Sequence, residues 1–260
     1  MANVLGVKID DITMEEAVER VKHYLLTEPK GKVLQAKRAG FYIVTPNPEF
    51  LVAAQNDKVF KSILKMADLS IPDGVGLKLT GKVKNTVYGI DLMEELIALS
   101  ADYGFTIGLL GGKDGVAKKT SECLLRNYPK LKISYVSSGG SVDKDGNPEE
   151  VYSMKYKVYR ENKENKTSLH TPYSIPHTDL LFVAFGHGKQ EKWIANNLKE
   201  IPVKVAMGVG GAFDYISGEI PRAPRIIRSL GFEWLFRLIL QPWRIKRQLA
   251  LLKYLLLIWI

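Results

Sequence analysis

Short apolar runs alternate along the chain with segments in which apolar residues recur every three or four positions. Runs rich in β-branched and aromatic residues predict strands, and the three-to-four spacing predicts helices. The predicted strands cover residues 4–9, 40–45, 68–71, 105–112, 131–136, 179–186 and 203–211, and the predicted helices cover residues 13–26, 49–66, 116–127 and a segment that begins near 189. Such alternation indicates an α/β fold with a mostly parallel sheet flanked by helices.

Two segments differ from this pattern. Residues 138–177 are rich in Gly, Ser, Asn, Lys and Glu, which predicts a polar surface excursion with a helix around 149–162. Residues 219–260 combine basic and apolar side chains, so we expect a core of residues 1–218 and a C-terminal helical appendage of residues 219–260. The closing apolar run is shorter than the roughly 20 residues with which a helix crosses a bilayer. The appendage is therefore expected to dock on a membrane surface.

Charge narrows the choice of partners. The chain has 260 residues and a formal net charge of +9, and residues 219–260 carry eight basic side chains against two acidic ones. A basic segment suits nucleic acid, anionic lipid or a phosphorylated substrate. Because these basic residues are interleaved with Trp and Leu, a lipid interface is favoured and nucleic acid is not expected. An exposed apolar appendage also predicts self-association into a homo-oligomer.

Neither a metal nor a cofactor is expected. The single Cys123 excludes an internal disulfide and a cysteine-based zinc site, and the four His residues lack metal-ligand spacing. Asp143 and Asp145 match a metal-binding Asp-x-Asp pattern, but the Asp-Gly that follows favours a polar turn. The first residues contain no basic segment followed by an apolar run, so no signal peptide is predicted and the protein is expected in the cytoplasm.

Polar residues and glycines follow four predicted strands. They are Thr45 and Asn47, Asp73, Gly111 and Gly112, and His187 with Gln190. Because the carboxyl ends of parallel strands share one edge, these residues are expected to converge on one crevice. Asp73 could accept a proton from a sugar hydroxyl, although an Asp between Pro and Gly is also typical of a turn. Thr45 and Asn47 could likewise be turn or cap residues.

Two segments could bind a diphosphate. Residues 108–115 form a glycine-rich turn before a helix, where backbone N–H groups could approach phosphate or the glycines could simply allow a tight turn. Arg237, Arg244 and Arg247 are seven and three residues apart, which would place them on one helical face suited to a diphosphate. Solvated side chains are the alternative, and Pro242 would kink or interrupt such a helix.

Seven motifs occur in order along the chain. They are Thr-Pro-Asn-Pro-Glu (45–49), Pro-Asp-Gly-Val-Gly (72–76), Gly-Ile-Asp-Leu (89–92), Leu-Gly-Gly-Lys-x-Gly-Val-Ala (110–117), Lys-Gln-Glu-Lys-Trp (189–193), Gly-Val-Gly-Gly-x-Phe-Asp (208–214), and Arg-Ala-Pro (222–224) with Gly-Phe-Glu-Trp-Leu-Phe-Arg-Leu (231–238). With these motifs, residues 4–250 closely resemble the WecG/TagA/CpsF glycosyltransferase family. The resemblance implies a Rossmann-like fold with an appendage that docks at the inner face of the cell membrane.

The resemblance also implies a reaction. Members of the family are inverting, metal-independent enzymes. They transfer N-acetylmannosamine or a related sugar from a nucleotide such as UDP to an undecaprenyl-diphosphate-linked N-acetylglucosamine. The products serve cell-surface polymers such as wall teichoic acid. Asp73 would be the catalytic base. The predicted substrate-binding residues are Thr45, Asn47, Gly111, Gly112, Gln190, Arg237, Arg244 and Arg247, of which the arginines would bind the diphosphate.

Three features depart from the family pattern. Thr86 occupies a position where an active-site arginine is usual, Gly188 occupies the place of a proline, and residues 138–177 are longer and more polar than usual. The loss of an arginine motivates a second hypothesis, in which the protein is a membrane-surface binding or scaffold protein with the same fold and no turnover.

Overall fold

The computed structural model describes residues 1–27, 40–149 and 175–259, and for residues 246–248 it describes the backbone alone. Its strands are β1 (Ala2–Val4), β2 (Val7–Ile9), β3 (Phe41–Val44), β4 (Leu69–Ser70), β5 (Thr106–Gly111), β6 (Lys132–Ser137), β7 (Thr178–Ala184) and β8 (Val203–Gly208). Strands β3 to β8 form one sheet in the order β4-β3-β8-β7-β5-β6, and every neighbouring pair in it is parallel. The predicted α/β fold with a parallel sheet is confirmed.

Helices of the described ranges surround this sheet. They are α1 (Met14–Thr27), α2 (Pro48–Asn56), α3 (Lys58–Met66), α4 (Gly89–Tyr103), α5 (Val116–Asn127), α6 (Lys189–Asn197), α7 (Ala212–Ile216), α8 (Arg225–Ser229), α9 (Glu233–Leu240) and α10 (Ile245–Trp259), with short 3-10 helices at Val75–Thr80 and Pro242–Arg244. Helix α4 is an addition to the elements predicted from the sequence.

Both faces of the sheet carry an apolar layer. All seven residues of β7 are buried, as expected for a central parallel strand that is covered on both sides. Successive side chains of a strand point to opposite faces, so Leu181 and Val183 pack in one layer while Leu180 and Phe182 pack in the other. The first layer also contains α2, α3, α6 and Tyr254 of α10, and the second contains α1, α4 and α5.

Helix α1 begins at the predicted capping box. The Glu16 backbone N–H donates to Thr13 Oγ1 at 3.2 Å, and the Thr13 N–H donates to Glu16 Oε2 at 2.8 Å. This reciprocal pair satisfies two N–H groups that have no partner within the helix.

Two predicted elements are wrong because a local break divides each of them. Residues 4–9 form no single strand: Leu5 and Gly6 take positive φ, and the resulting turn pairs β1 with β2 in an antiparallel hairpin. The helix predicted over residues 49–66 is two helices. Asp57 has extended backbone between α2 and α3, and its Oδ1 accepts the Phe60 N–H at 2.9 Å. A side chain that caps a new helix competes with continuation of the old one.

The predicted single helical face with three arginines is also wrong. Helix α9 ends before Gln241, and Pro242 starts a 3-10 turn, because proline lacks the N–H that the helix would need and clashes with the preceding turn. Arg237 therefore belongs to α9, Arg244 ends the 3-10 turn, and Arg247 lies in α10, where its side chain is outside the described part of the structure.

Helix α10 runs back onto the core. It packs against α2, and Tyr254 is fully buried in the apolar layer on that side of the sheet. Over the part of the chain that the structure describes, no helix combines the length and apolarity needed to cross a membrane. Most of the helix predicted around residues 149–162 lies outside the described residues.

Candidate active site

A cavity of about 540 Å³ lies beyond the carboxyl ends of β3, β4, β7 and β8 and extends beneath α9. Its size is typical of sites for small molecules. Its polar and aromatic lining includes Thr45, Asn47, Asp73, Tyr88, His187, Gln190, Tyr215, Glu233, Arg237 and Arg244. Three of the four predicted groups of strand-end residues therefore meet in one place, and the C-terminal residues close the cavity on another side.

Asp73 is held in the cavity by its own backbone and by neighbouring donors. Its N–H donates to Pro46 O at 3.0 Å, and its Oδ1 accepts the Gly89 N–H at 3.2 Å. Burial raises the pKa of Asp73 from its ordinary value to about 7, while the hydrogen bonds from Gly89 and Asn47 lower it in part. A carboxyl group with this pKa is suited to accept a proton near neutral pH.

Asn47 links the start of α2 to this carboxylate. Its Oδ1 accepts the Phe50 N–H at 3.1 Å, which makes Asn47 the N-cap of α2, and its side chain is near enough to Asp73 to lower the pKa of that carboxyl group. Asn47 is thus a cap residue that also lines the cavity, and its role in substrate binding stays a prediction. Thr45 is buried and lines the cavity beside Gly89, whose missing side chain leaves room for the Thr45 methyl group.

Gln190 faces the cavity with a fixed orientation. Its Oε1 accepts the Gly210 N–H at 3.0 Å, and its Nε2 donates to Glu191 Oε1 at 2.7 Å. Glu191 is buried beneath it and accepts the Gly188 N–H at 2.7 Å. Burial raises the pKa of Glu191 to about 7. The Nε2 atom of Gln190 carries two hydrogens, and the hydrogen bond to Glu191 uses one of them. The other can donate to a ligand.

Arg237 and Arg244 reach the cavity from the C-terminal segment. The Arg237 guanidinium lies 4.8 Å from the centroid of the Tyr215 ring and 3.8 Å from Asp214 Oδ2. Both arginines also approach Gln241 Oε1 at 3.4 Å, so the two cations converge although they belong to different elements. Such a pair can bind a phosphate group with charge-assisted hydrogen bonds.

Gly111 and Gly112 are not among the lining residues. Gly111 ends β5, which lies on the far side of β7, and the N–H of the following Gly112 donates to Ala184 O at 2.9 Å. A Cβ atom on Gly111 would meet the Ala184 backbone at 2.7 Å, so the glycine allows close packing of β5 on β7. Their role in substrate binding stays a prediction.

The Asp143-Lys144-Asp145 segment forms a turn away from the cavity. Asp143 Oδ1 accepts the N–H groups of Asp145 and Asn147, both at 2.8 Å, and Asp145 pairs with Lys192 at 3.3 Å. Within the described ranges, no three His, Cys, Asp or Glu side chains are grouped closely enough to hold a metal ion.

Several lining residues were not predicted from the sequence, among them three that carry polar groups at the cavity. Tyr88 precedes α4, Tyr215 belongs to α7, and Glu233 opens α9. Each lies within or beside one of the seven motifs, which was the available signal, but none follows a strand directly. Thr86 is not among the lining residues, and its Oγ1 is buried with no hydrogen-bond partner in the part of the chain that the structure describes.

A parallel α/β sheet whose carboxyl edge bears a cavity, with a buried carboxyl group on the sheet side and two arginines opposite, is an arrangement typical of enzymes. Over residues 2–260 the chain matches the model of the glycosyl transferase WecG/TagA/CpsF family. The chain belongs to this family and is a glycosyltransferase.

Individual relatives are 28–32% identical to the chain over the residues that align. An N-acetylglucosaminyldiphosphoundecaprenol N-acetyl-β-D-mannosaminyltransferase of Bacillus subtilis (strain 168) is 32% identical over 223 residues, which cover 84% of this chain and 78% of the relative. A protein with the same name from Staphylococcus aureus (strain MRSA252) is 28% identical over 250 residues, 94% of this chain and 87% of the relative. A third, from Bacillus spizizenii, is 30% identical over 220 residues, which cover 83% of this chain and 77% of the relative.

Proposed function

We propose that the protein transfers N-acetylmannosamine, or a closely related sugar, from UDP to N-acetylglucosamine linked to undecaprenyl diphosphate. The names of the relatives support this donor sugar and this acceptor. The observation that carries the proposal is the position of Asp73, a carboxyl group with a pKa of about 7 that shares its cavity with Arg237 and Arg244.

The proposed reaction is a single displacement with inversion. The acceptor hydroxyl oxygen attacks the anomeric carbon, its proton passes to Asp73, and the bond from that carbon to the phosphate oxygen breaks. UDP leaves with the electron pair of that bond. Arg237 and Arg244 would stabilise the negative charge that develops on the diphosphate, which is why we propose that no metal ion is required. Arg247 would join them.

The sugar would lie between Thr45, Asn47 and Gln190. The Asn47 side chain lines the same cavity as the proposed base and lowers its pKa, so a sugar hydroxyl bound there would also approach Asp73. Gln190 would offer its remaining Nε2 hydrogen to the sugar or to the acceptor.

Attachment to the cytoplasmic face of the cell membrane is part of the proposal. Leu252, Leu256 and Trp259 lie on one side of α10 and are 61%, 65% and 83% exposed. An apolar helical face next to basic residues suits the interface of an anionic bilayer, where a lipid-linked acceptor would be found. Self-association through the same face in solution stays a prediction.

Thr86 favours a second candidate, a binding protein with the same fold and no turnover. Within the described residues its buried Oγ1 has no hydrogen-bond partner, so this position supplies neither the charge of an arginine nor a satisfied structural contact. Such a protein would bind the sugar nucleotide without releasing UDP.

The test is acceptor-dependent UDP release by the wild type and by Asp73→Asn, in detergent and with EDTA present. We expect release by the wild type and a loss of about 100-fold or more in the variant, because asparagine keeps the shape but cannot accept the proton. Donor binding, measured by calorimetry, should persist in the variant. Release that EDTA abolishes would contradict metal independence, and donor binding without any release would favour the second candidate.

A further inference from the structure

One arginine connects the C-terminal segment with the rim of the cavity. Arg222 precedes α8 and makes ion pairs with three carboxylates, through a different guanidinium nitrogen for each. It contacts Asp91 directly, Glu94 at 3.5 Å and Glu233 at 3.4 Å. Asp91 and Glu94 belong to α4 of the core, whereas Glu233 is the first residue of α9. The arginine therefore joins α9 to α4.

The cluster depends on this cation. The Arg222 side chain is only 16% exposed, and that of Glu233 is equally shielded. Three carboxylates in so small a space would repel one another without a central cation. Shielding from water strengthens this repulsion, and it also strengthens the attraction of each carboxylate to the Arg222 guanidinium. Arg228 lies 3.7 Å from Asp91 and adds a second positive charge at the edge of the cluster. The geometry of Arg222, which contacts all three carboxylates, is not available to a lysine ammonium group.

The helix that Arg222 holds carries two residues of the cavity wall. Glu233 and Arg237 are four positions apart on α9 and both line the cavity, so they share one face of the helix. Arg237 is packed over Tyr215 and beside Gly211, where an added Cβ atom would meet the Arg237 guanidinium. The two ends of α9 are thus fixed by two arginines, one that binds α4 and one that packs on α7.

We propose that Arg222 is a positioning residue for the transfer reaction: by binding Asp91, Glu94 and Glu233 together, it holds the first turn of α9 against α4 and keeps Glu233 and Arg237 at the cavity wall. This inference rests on the proposed function, because it assigns Arg237 to the diphosphate of the donor. It also gives a physical role to three motif residues, in Gly-Ile-Asp-Leu, Arg-Ala-Pro and Gly-Phe-Glu-Trp, that the reaction itself does not explain.

The experiment compares Arg222→Lys with Arg225→Lys in the full-length chain. Arg225 is an exposed arginine three residues further on, so its variant is a control for the same chemical change. Amide hydrogen exchange of residues 233–240 is measured by mass spectrometry. We expect these amides to exchange about fivefold faster in Arg222→Lys than in the control, with the core of α4 unchanged, because a lost multiple ion pair favours local opening.

Donor kinetics provide the second measurement. If α9 is displaced, Arg237 binds the donor diphosphate less well, so KM for the sugar nucleotide should rise about fivefold while kcat changes less. Glu233→Gln, which removes one carboxylate with little change of shape, should increase the exchange of α9 in the same direction if Arg222→Lys does not fold.

Two outcomes would overturn the inference. Equal exchange of α9 in Arg222→Lys and Arg225→Lys would show that Arg222 does not hold the helix. Faster exchange with an unchanged donor KM would show that the position of α9 does not matter for the donor. A wild type without transfer activity would contradict the proposed function instead, and the exchange comparison would still decide whether Arg222 holds α9.

Discussion

Asp73 lies close to other acidic residues, and their charges help to set the pH at which it can act as a base. Burial is the largest cause of its raised pKa, and the negative charges of Glu233 in α9 and Asp91 in α4 raise it further. The hydrogen bonds from Gly89 and Asn47 oppose both effects. The proposed base is therefore about half protonated at neutral pH, and its activity should depend on which carboxylates surround it.

Glu233→Gln should lower the pKa of Asp73, because it removes a nearby negative charge that opposes ionisation. The acidic limb of kcat/KM should then move to lower pH by about half a unit, whereas Glu95→Gln, an exposed charge change on α4, should leave it in place. The measurement is UDP release between about pH 5.5 and pH 9. A limb at the same pH in both variants would show that Glu233 does not influence the base.

The residues of the site differ in how well the sequence could predict them. Asp73, Thr45 and Gln190 each follow a strand closely, and the shared edge of a parallel sheet is enough to bring them together. Glu233 reaches the same cavity from a helix nearly 40 residues beyond α6. Its position depends on the ion pairs with Arg222, which no spacing along the chain reveals.

The points at which helices are interrupted are harder to predict from the sequence than the helices and strands themselves. The strands that end at the cavity appear where apolar runs predict them. The division at Asp57 depends on whether its side chain caps a new helix or lies on the surface of a longer one, and both are compatible with the apolar spacing of residues 49–66. The sequence indicates a possible break at Pro242, but the convergence of Arg237 and Arg244 around that break depends on tertiary packing.

Helix α6 contributes a pH dependence of stability through Glu191. The folded-state pKa of about 7 lies above the ordinary value of 4.5, so the folded protein binds the proton more tightly than the unfolded chain. The contribution of Glu191 to stability is complete below about pH 4.5 and is lost as the pH rises through about 7.

Glu191→Gln should remove this dependence. We expect the difference between the free energies of unfolding at pH 5 and pH 8 to shrink by about 1–3 kcal/mol, measured by urea denaturation. Glu149→Gln, an exposed carboxylate in the polar segment, is the matched control and should leave the difference unchanged. The same difference in wild type and Glu191→Gln would mean that Glu191 does not titrate in this range.

The two faces of the sheet are covered by helices whose outer surfaces differ. Helix α10 lies on one side with a row of exposed apolar residues, while α5 on the opposite side exposes isolated ones such as Leu125. A single exposed leucine is ordinary, but a continuous apolar row on a helix is typical of an interaction surface.

Leu252→Glu should therefore weaken binding to vesicles that contain an anionic phospholipid, whereas Leu125→Glu, the same change on α5, should not. We expect about a tenfold loss of partitioning, because one fully buried leucine contributes roughly 1.5–3 kcal/mol. Vesicle sedimentation measures the bound fraction. Equal binding of the two variants would contradict membrane docking through α10.

Three neighbouring residues of α10 lie in three different environments. Leu251 lines the cavity, Leu252 faces outward, and Tyr254 is buried in the core. A polyprenyl chain lying along the outward side would be separated from the wall of the cavity by about the width of one helix, roughly 10 Å. If the outward side of α10 is inserted in a bilayer, the helix fixes the distance between the bilayer and the proposed base Asp73. Only acceptors whose hydroxyl group lies at that distance from the lipid could then react.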